Sequence, residues 1–544
     1  MHVPSSAGLL AISMGLFAAG CGGDHDGPPS ASTSPSAASL CQGLSSMTVA
    51  ASQIGLPTTG ATVTSASFVA ASATMPEYCR VTGVIASVDS SAQSIEFAAA
   101  LPTSWNKKVF QLGGGGWDGS VVDVTGPNGI AALDAKTPLQ RGYATFGSDS
   151  GHEANSSDAS FLLNEEQLDN FVGDQLKKTH DTVMAIITAR YGQVPAKTYF
   201  HGGSEGGRES MTVIQRFPTD YDGVITLYPV FNWFADFFKW QDVGRAMRLN
   251  GGVGWLSATK LALLHASELG ACDTLDGAAD GLISNVNACT FDPHVIRCPS
   301  GADEGDSCLS DAQVQTVTTI YGSSTLPYAL ANNWTLIPNY HAGTEWAAQL
   351  GTSPVFTYGG DFAGLGAIQG FADSLIRYGI MQDPNADTLS FDPANPGTYL
   401  ARVQALSAKF DRTDPDISKF IAHGGKWILV HGLSDELPVE TSTIAYYDEL
   451  VSNFGQSALD QTLRFYTVPG FGHAHGSFDA AGGLTTIDAL EAWAEQGQAP
   501  GNLVVTDTNA GANRTRPLCV YPTWPKYNGS GSLNSASSYT CAIN

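Results

Sequence analysis

Thr198-Tyr199-Phe200-His201-Gly202-Gly203-Ser204-Glu205-Gly206-Gly207-Arg208, continuing through Met211, Ile214 and Phe217, decides how the rest of the chain is read. A short β-prone run meets Gly-x-Ser-x-Gly, and apolar residues at three-residue spacing follow, as one buried helix face requires. This is the shape of a nucleophile elbow, a strained strand-to-helix turn that lifts one serine out of a sheet. Gly202 and Gly206 leave space that a Cβ would fill. Ser204 then stands at a helix N-terminus, where free amides and the dipole favour negative charge. The Glu205 N–H is thereby a candidate oxyanion donor. The competing reading is a glycine-rich loop that happens to hold a serine; the strand before and the helix after weigh against it.

Working outward, strand patterns recur on both sides. Short alternating apolar runs fill residues 44–101, Lys108 to Leu112 is a further strand, and another runs from Tyr143 to Gly147. Residues 167–191 carry a helical period (Leu168, Phe171, Leu176, Val183, Ile186, Ile187) that feeds the elbow, and Gly223 to Tyr228 returns to strand. Such alternation predicts a mostly parallel sheet covered by helices. The rhythm breaks over 231–420 and resumes with Lys426 to His431 and Leu463 to Val468. The expected organisation is a core in two parts, 41–230 and 421–544, with 231–420 inserted between them and a tail after about Gly501.

The chain has 544 residues, 43% hydrophobic and 10% aromatic, enough for a large folded core. A net charge of −25 and the lack of a basic face exclude nucleic acid as a partner. Residues 1–21 read as an export signal: Leu9 to Ala19 is apolar but too short to span a bilayer. Phe17-Ala18-Ala19-Gly20-Cys21 is similar to a bacterial lipoprotein cleavage box with Cys21 as the lipid acceptor. It departs from that pattern in having no Lys or Arg before it and Ala18 where Leu is usual; the alternative is plain secretion with cleavage near Ala19. Residues 22–40 have the composition of a flexible tether. Setting Cys21 aside, eight of nine cysteines remain, and export makes disulfides the default. Their spacing suggests the neighbour pairs Cys41–Cys79, Cys272–Cys289, Cys298–Cys308 and Cys519–Cys541.

A serine nucleophile needs a base, and the base a third group to orient it. In the α/β-hydrolase arrangement the acid and then the histidine follow the serine along the chain. Asp435 lies just past an apolar strand in His431-Gly432-Leu433-Ser434-Asp435, and His473 follows the next strand in Val468-Pro469-Gly470-Phe471-Gly472-His473. Both positions fall at strand carboxyl ends, where open α/β sheets bind their ligands. His475, His431 and His423 compete for the base, and Glu436 and Glu440 for the acid. The glycine run 113–116 lacks the residues of a phosphate loop, so its use is the second oxyanion donor, from Gly115 or Gly116.

Tyr199 to Arg208, then Gln215-Arg-Phe-Pro218 with Tyr221-Asp-Gly223, resembles the elbow of the tannase/feruloyl esterase family of α/β-hydrolases. The blocks around Asp435, with Tyr446-Tyr447, and around His473 are similar as well. Cys272-Asp-x-x-Asp-Gly-x-x-Asp-Gly-Leu-Ile283 resembles the family's calcium block. Read unaided, it is more simply a solvated acidic turn. The resemblance implies a structural Ca²⁺ held by Asp273, Asp276 and Asp280 and the carbonyls of Ala278 and Leu282. It also implies an aromatic acyl group (feruloyl, galloyl or terephthalate-like). The insert is expected to form a lid that supplies the acyl pocket, with Trp346, Phe362, Phe371 and Arg377 as pocket candidates whose competing reading is packing or surface. The family's usual cysteines before the serine and after the histidine are here Gly203 and Ala474, so the bond they would form is missing as a pair.

The resulting expectation is an exported or lipid-anchored serine carboxylic-ester hydrolase with no organic cofactor, acting on a small-molecule ester. Two alternatives stay open: an esterase for aliphatic or polyester-fragment esters, and a non-catalytic surface lipoprotein that keeps the fold for binding.

Overall fold

The computed structural model describes residues 35–126, 135–357 and 362–543. The signal segment, Cys21 and the tether up to residue 34 lie outside them. Ala37–Gln42, at the end of the stretch read as a tether, is helical, and its Cys41 is buried and bonded to Cys79.

One sheet of ten strands organises the chain. They are β1 Thr48–Val49, β2 Gly60–Val69, β3 Tyr78–Ala86, β4 Ile95–Pro102, β5 Lys108–Leu112, β6 Ala144–Ser148, β7 Lys197–Ser204, β8 Gly223–Pro229, β9 Lys426–Gly432 and β10 Leu463–Val468. The spatial order is β1-β2-β3-β4-β6-β5-β7-β8-β9-β10. The sheet is mixed: β1 to β4 and β6 pair antiparallel, whereas β6, β5, β7, β8, β9 and β10 run parallel. The parallel half is buried on both faces, so its strands read as unbroken apolar runs. Alternate residues serve opposite layers. Val224 and Leu429 pack on α2 (Glu205–Arg216) and Glu440–Phe454 through Met211, Ile214, Tyr446 and Leu450. Ile225 and Ile428 pack on Thr486–Gln496 through Ile487, Leu490 and Trp493.

The helix expected over 167–191 is broken. Glu165–Asp169 passes through one π turn, Asn170–Asp174, before α1, Gln175–Tyr191. Gly173 has φ 142° inside that turn, which frees the Phe171 and Val172 carbonyls to accept from the Arg208 guanidinium at 2.8 and 3.1 Å.

Between β8 and β9 the chain leaves the sheet, and no strand of it joins there among the described residues. This segment starts with α3, Trp233–Gly252, continues with α4, Ala258–Cys272, and its Phe237, Trp240, Leu264, Val317 and Leu406 share one apolar cluster with Trp117, Phe161, Leu168 and Phe171 of the core. It is not a detached body: Ala37 onward forms one compact unit. The tail makes two hairpins, Leu503–Thr506 with Thr515–Leu518 and Trp524–Tyr527 with Tyr539–Ala542. All four neighbour cysteine pairs are bonded. Among the described residues no helix is long and apolar enough to cross a membrane.

Candidate active site

Ser204 ends β7 and precedes α2 with φ 58° and ψ −120°, outside the ordinary wells of an L-residue. The turn survives because its neighbours are glycines: a Cβ on Gly202 would lie 2.1 Å from the Gly206 carbonyl oxygen. The glycine loop after β5 is fastened to the same turn, with the Gly113 N–H donating to His201 O (2.9 Å) and the Gly206 N–H to Gly114 O (3.2 Å).

Buried carboxyl groups hold that loop. Glu209 accepts from the Gly114 N–H at 2.9 Å and also from the Gln175 amide. Asp118 accepts from the Gly115 N–H at 2.6 Å and from the Ser150 hydroxyl at 2.6 Å. Burial pushes Asp118 up to about 6, Glu209 well above the usual carboxylate range, and Glu205 up to about 8 against the pull of Arg208. These contacts divide the two expected oxyanion glycines. The Gly115 amide is committed to Asp118, so it is not a free donor. The Gly116 amide, at φ 65° beside Ser204, has no acceptor among the described residues, and neither has the Glu205 amide. Asp118, Glu205 and Glu209 cluster closely enough to suggest a metal site, but the carboxyl groups are taken up by Gly115, Ser150, Arg208, Gly114 and Gln175.

Asp435 and His473 sit in the loops after β9 and β10. Asp435 is fully buried; its Oδ1 accepts from the Leu437 N–H at 2.9 Å, and its Oδ2 lies 3.2 Å from His473 Nδ1. That leaves Nε2 of His473 for the cleft that Ser204 and His473 both line. The Tyr228 ring meets the imidazole edge-on, centroids 4.8 Å apart. The rivals are held elsewhere, although His431 Nε2 also lies 3.7 Å from Asp435 Oδ2. His431 is sealed in, 2.9 Å from the Thr443 hydroxyl, and burial pulls it down to about 4. His475 and Glu436 pair with each other, Glu440 faces His341, and His423 ends an exposed helix turn.

The cleft has two lobes that share Gly116, Ser204, Phe371 and Leu437. The outer lobe, 420 Å³, is bounded by His473, Ser120, Val121, Val122, Asp123 and Ser156. The inner lobe is only 20 Å³ and is walled by Val230, Trp233, Phe237, Trp240 and Pro438. Of the pocket candidates read from sequence, Phe371 lines both lobes and Phe362 packs edge-on against it, centroids 4.8 Å apart. Trp346 lines a separate 300 Å³ cavity beside His265 and Glu268. Arg377 is buried in an ion pair with Asp373 and caps the Pro384 and Ala386 carbonyls, so packing explains both residues without a role in the cleft. Trp233, Phe237 and Trp240 were missed, although Trp233-Phe-Ala-Asp-Phe-Phe-Lys-Trp240 is an aromatic-dense helix start directly after a strand end.

In the acidic loop, Asp273 Oδ1 accepts from the Asp280 and Gly281 amides, both at 3.1 Å. Asp276 Oδ1 accepts from the Ala278 N–H at 2.8 Å, while its Oδ2 is buried without a hydrogen-bond partner, as are Ser284 Oγ and Asn285 Oδ1. Burial, with Asp280 and Asp273 close by, raises Asp276 to about 6. An all-oxygen set with an orphaned carboxylate oxygen fits a hard cation. Asp280 is shared: its Oδ2 also engages Arg516 and the Tyr539 hydroxyl of the tail.

A profile of the family described as tannase and feruloyl esterase matches residues 79–542. An uncharacterized esterase of Agrobacterium fabrum is 35% identical over 518 residues, covering 93% of each chain. The mono(2-hydroxyethyl) terephthalate hydrolase of Piscinibacter sakaiensis is 29% identical, covering 87% of this chain and 86% of its own. Among solved structures, feruloyl esterase B from Aspergillus oryzae superposes with a TM-score of 0.77 at 23% identity over 93% of this chain and all of that one. Tannin acyl hydrolase from Aspergillus niger gives 0.66 at 22% over 89% and 90%. These two likenesses establish the α/β-hydrolase fold.

Proposed function

The chain belongs to the tannase and feruloyl esterase family and is a carboxylic-ester hydrolase, and we propose that it works through an acyl-enzyme on Ser204. His473 Nε2 takes the serine proton as Oγ attacks the ester carbonyl, and Asp435 holds the imidazole by Nδ1. The amides of Glu205 and Gly116 stabilise the developing oxyanion, each worth about 3–4 kcal/mol in comparable sites. His473 returns the proton to the leaving alcohol, and water, activated by the same imidazole, clears the acyl group. The observation that carries this reading is the 3.2 Å Nδ1–Oδ2 contact at a cleft that His473 shares with Ser204. Ser204→Ala is expected to lower p-nitrophenyl acetate hydrolysis by at least about four orders of magnitude. Equal rates in the two proteins would remove the mechanism.

The general acid must reach the leaving oxygen, and His473 lines only the outer lobe. The alcohol half therefore belongs in the outer lobe and the acyl half in the inner one. The aromatic walls, together with relatives named for feruloyl and terephthalate esters, support an aromatic acid. The inner volume supports a second reading, a short aliphatic acyl group, because 20 Å³ is far below the ~150 Å³ that takes up a benzene ring. Phe371 is the bulkiest of the side chains that line both lobes, so it is the one whose movement or removal bears most on the space for the acyl group. Comparing methyl ferulate, methyl gallate, a terephthalate monoester and p-nitrophenyl acetate decides between the two.

We assign a structural calcium to Asp273, Asp276, Asp280 and the carbonyls of Ala278 and Leu282, with no part in the chemistry. Export is supported by the four disulfides. Acylation of Cys21 is tested by fatty-acid labelling that Cys21→Ser abolishes.

A further inference from the structure

The loop that carries His473 turns sharply, and backbone bonds fix part of it: the Ser434 N–H donates to Phe471 O (3.0 Å) and the Ala474 N–H to Gly472 O (3.0 Å). Ala474 has φ 62°, the Gly472 N–H donates to His475 O (2.7 Å), and the Phe478 N–H donates to Gly470 O (3.0 Å). No disulfide links it to the elbow, since Gly203 and Ala474 flank the serine and the histidine. A triad imidazole on such a loop has to be held by something else, because a displacement of 1 Å can reduce a rate about a hundredfold.

The residue after Asp435 meets that need. Glu436 is fully buried, and both its oxygens are spent on this loop and its cover. Oε1 lies 2.9 Å from His475 Nε2 and accepts from the Gln349 amide at 3.3 Å. Oε2 accepts from the backbone N–H of His473 itself at 3.3 Å. The fit is close: a Cβ on Gly472 would fall 2.9 Å from Oε2. A second tie runs through Glu345, whose Oε1 accepts from the Ser477 N–H at 2.8 Å and whose own N–H donates to Ser434 O at 3.1 Å. The loop is thus fastened at 473, 475 and 477 to the acid loop on one side and to the inserted segment on the other, and the tail adds Asn509, which donates to Gly476 O at 2.9 Å, and Arg514, which donates to Ser477 O.

We propose that Glu436 and His475 are positioning residues that clamp the His473 loop without a covalent bond. The proposal rests on the Ser204–His473 reading of the site. His475 is half exposed and faces Glu436, Glu345 and Asp435, with His473 two residues away. Its hydrogen bond to Glu436 raises it to about 8 although burial opposes the shift. The charged clamp is therefore complete below about pH 6.5 and is lost as pH rises through 8.

The test measures kcat and KM for p-nitrophenyl acetate from pH 6 to 9 in wild type, Ser204→Ala, His475→Ala, His475→Gln and Glu436→Gln, with thermal unfolding of each. His475→Ala is expected to lower kcat about 10- to 100-fold at pH 7 with KM changed less than about threefold. His475→Gln keeps a donor for Oε1 and recovers most of that loss. Wild-type kcat is expected to fall near pH 8, and both His475 variants are expected to lack that fall. Wild-type kcat with an unchanged alkaline limb in His475→Ala overturns the clamp, as does a His475→Gln no better than the alanine variant. If Ser204→Ala stays active, the acyl-enzyme reading fails instead, which separates the two.

Discussion

At the residue scale, the site depends on groups that differ little in sequence and greatly in commitment. Gly115 and Gly116 are indistinguishable in a run of four glycines, yet Asp118 takes the amide of the first and leaves the second facing Ser204. No pattern rule finds this, because it requires knowing that the carboxyl three residues on folds back. Glu436 is similar: proximity to a strand end makes it a rival for the acid, yet in the fold it turns to His475 while Asp435 faces His473. By contrast, the meeting of Asp435 and His473 at a cleft that Ser204 also lines was legible, since each of the three lies at or just past the end of an apolar strand that the sheet topology brings to one edge. Two predictions belong here. Asp435→Asn preserves shape but withdraws the charge behind the imidazole, and a fall in kcat of about 10⁴-fold is expected in steady-state assays. Phe371→Ala enlarges the space for the acyl group, so its ratio of kcat/KM for p-nitrophenyl hexanoate over acetate should rise about tenfold or more above wild type. An unchanged ratio would mean that Phe371 does not limit the acyl group.

At the scale of elements, the break before α1 shows how tertiary demand overrides periodicity. Leu168, Phe171 and Leu176 satisfy a helical period, so the sequence reads as one helix, and the extra residue of the π turn is invisible to it. The break serves Arg208, which is fully buried, pairs with Glu205 beside the nucleophile and draws on the two freed carbonyls. Removing one partner of a buried pair leaves the other uncompensated. Arg208→Ala should therefore lose about 3–5 kcal/mol in urea unfolding, whereas surface Lys419→Ala should change stability by less than about 0.5 kcal/mol. The inserted segment's walls were the least legible part of the cleft. Trp233, Phe237 and Trp240 come from the first turns of α3, and their joint use appears only when that helix crosses above Ser204 and meets Phe371.

For the molecule as a whole, the large features followed from sequence because they rest on long-range patterning: strand rhythm, its interruption, and cysteines close enough to pair. What patterning leaves out is which distant segments share a site, and the acidic loop is the main example. If it holds Ca²⁺, a chelator should lower the melting temperature by several degrees, since a ligand at a hundredfold excess over its Kd contributes about 2.7 kcal/mol. An unchanged temperature with metal analysis showing none bound would remove the ion. The same loop is clasped by the hairpin segment after Gly501: Arg516 and Tyr539 engage the Asp280 carboxylate, and Arg514 reaches the Asp280 carbonyl at 3.3 Å. Biosynthesis therefore matters to this region, because a nascent chain cannot complete it until Arg514, Arg516 and Tyr539 have emerged. A polypeptide stopped before Arg514 would be released with the acidic loop unclasped and open to quality-control proteases.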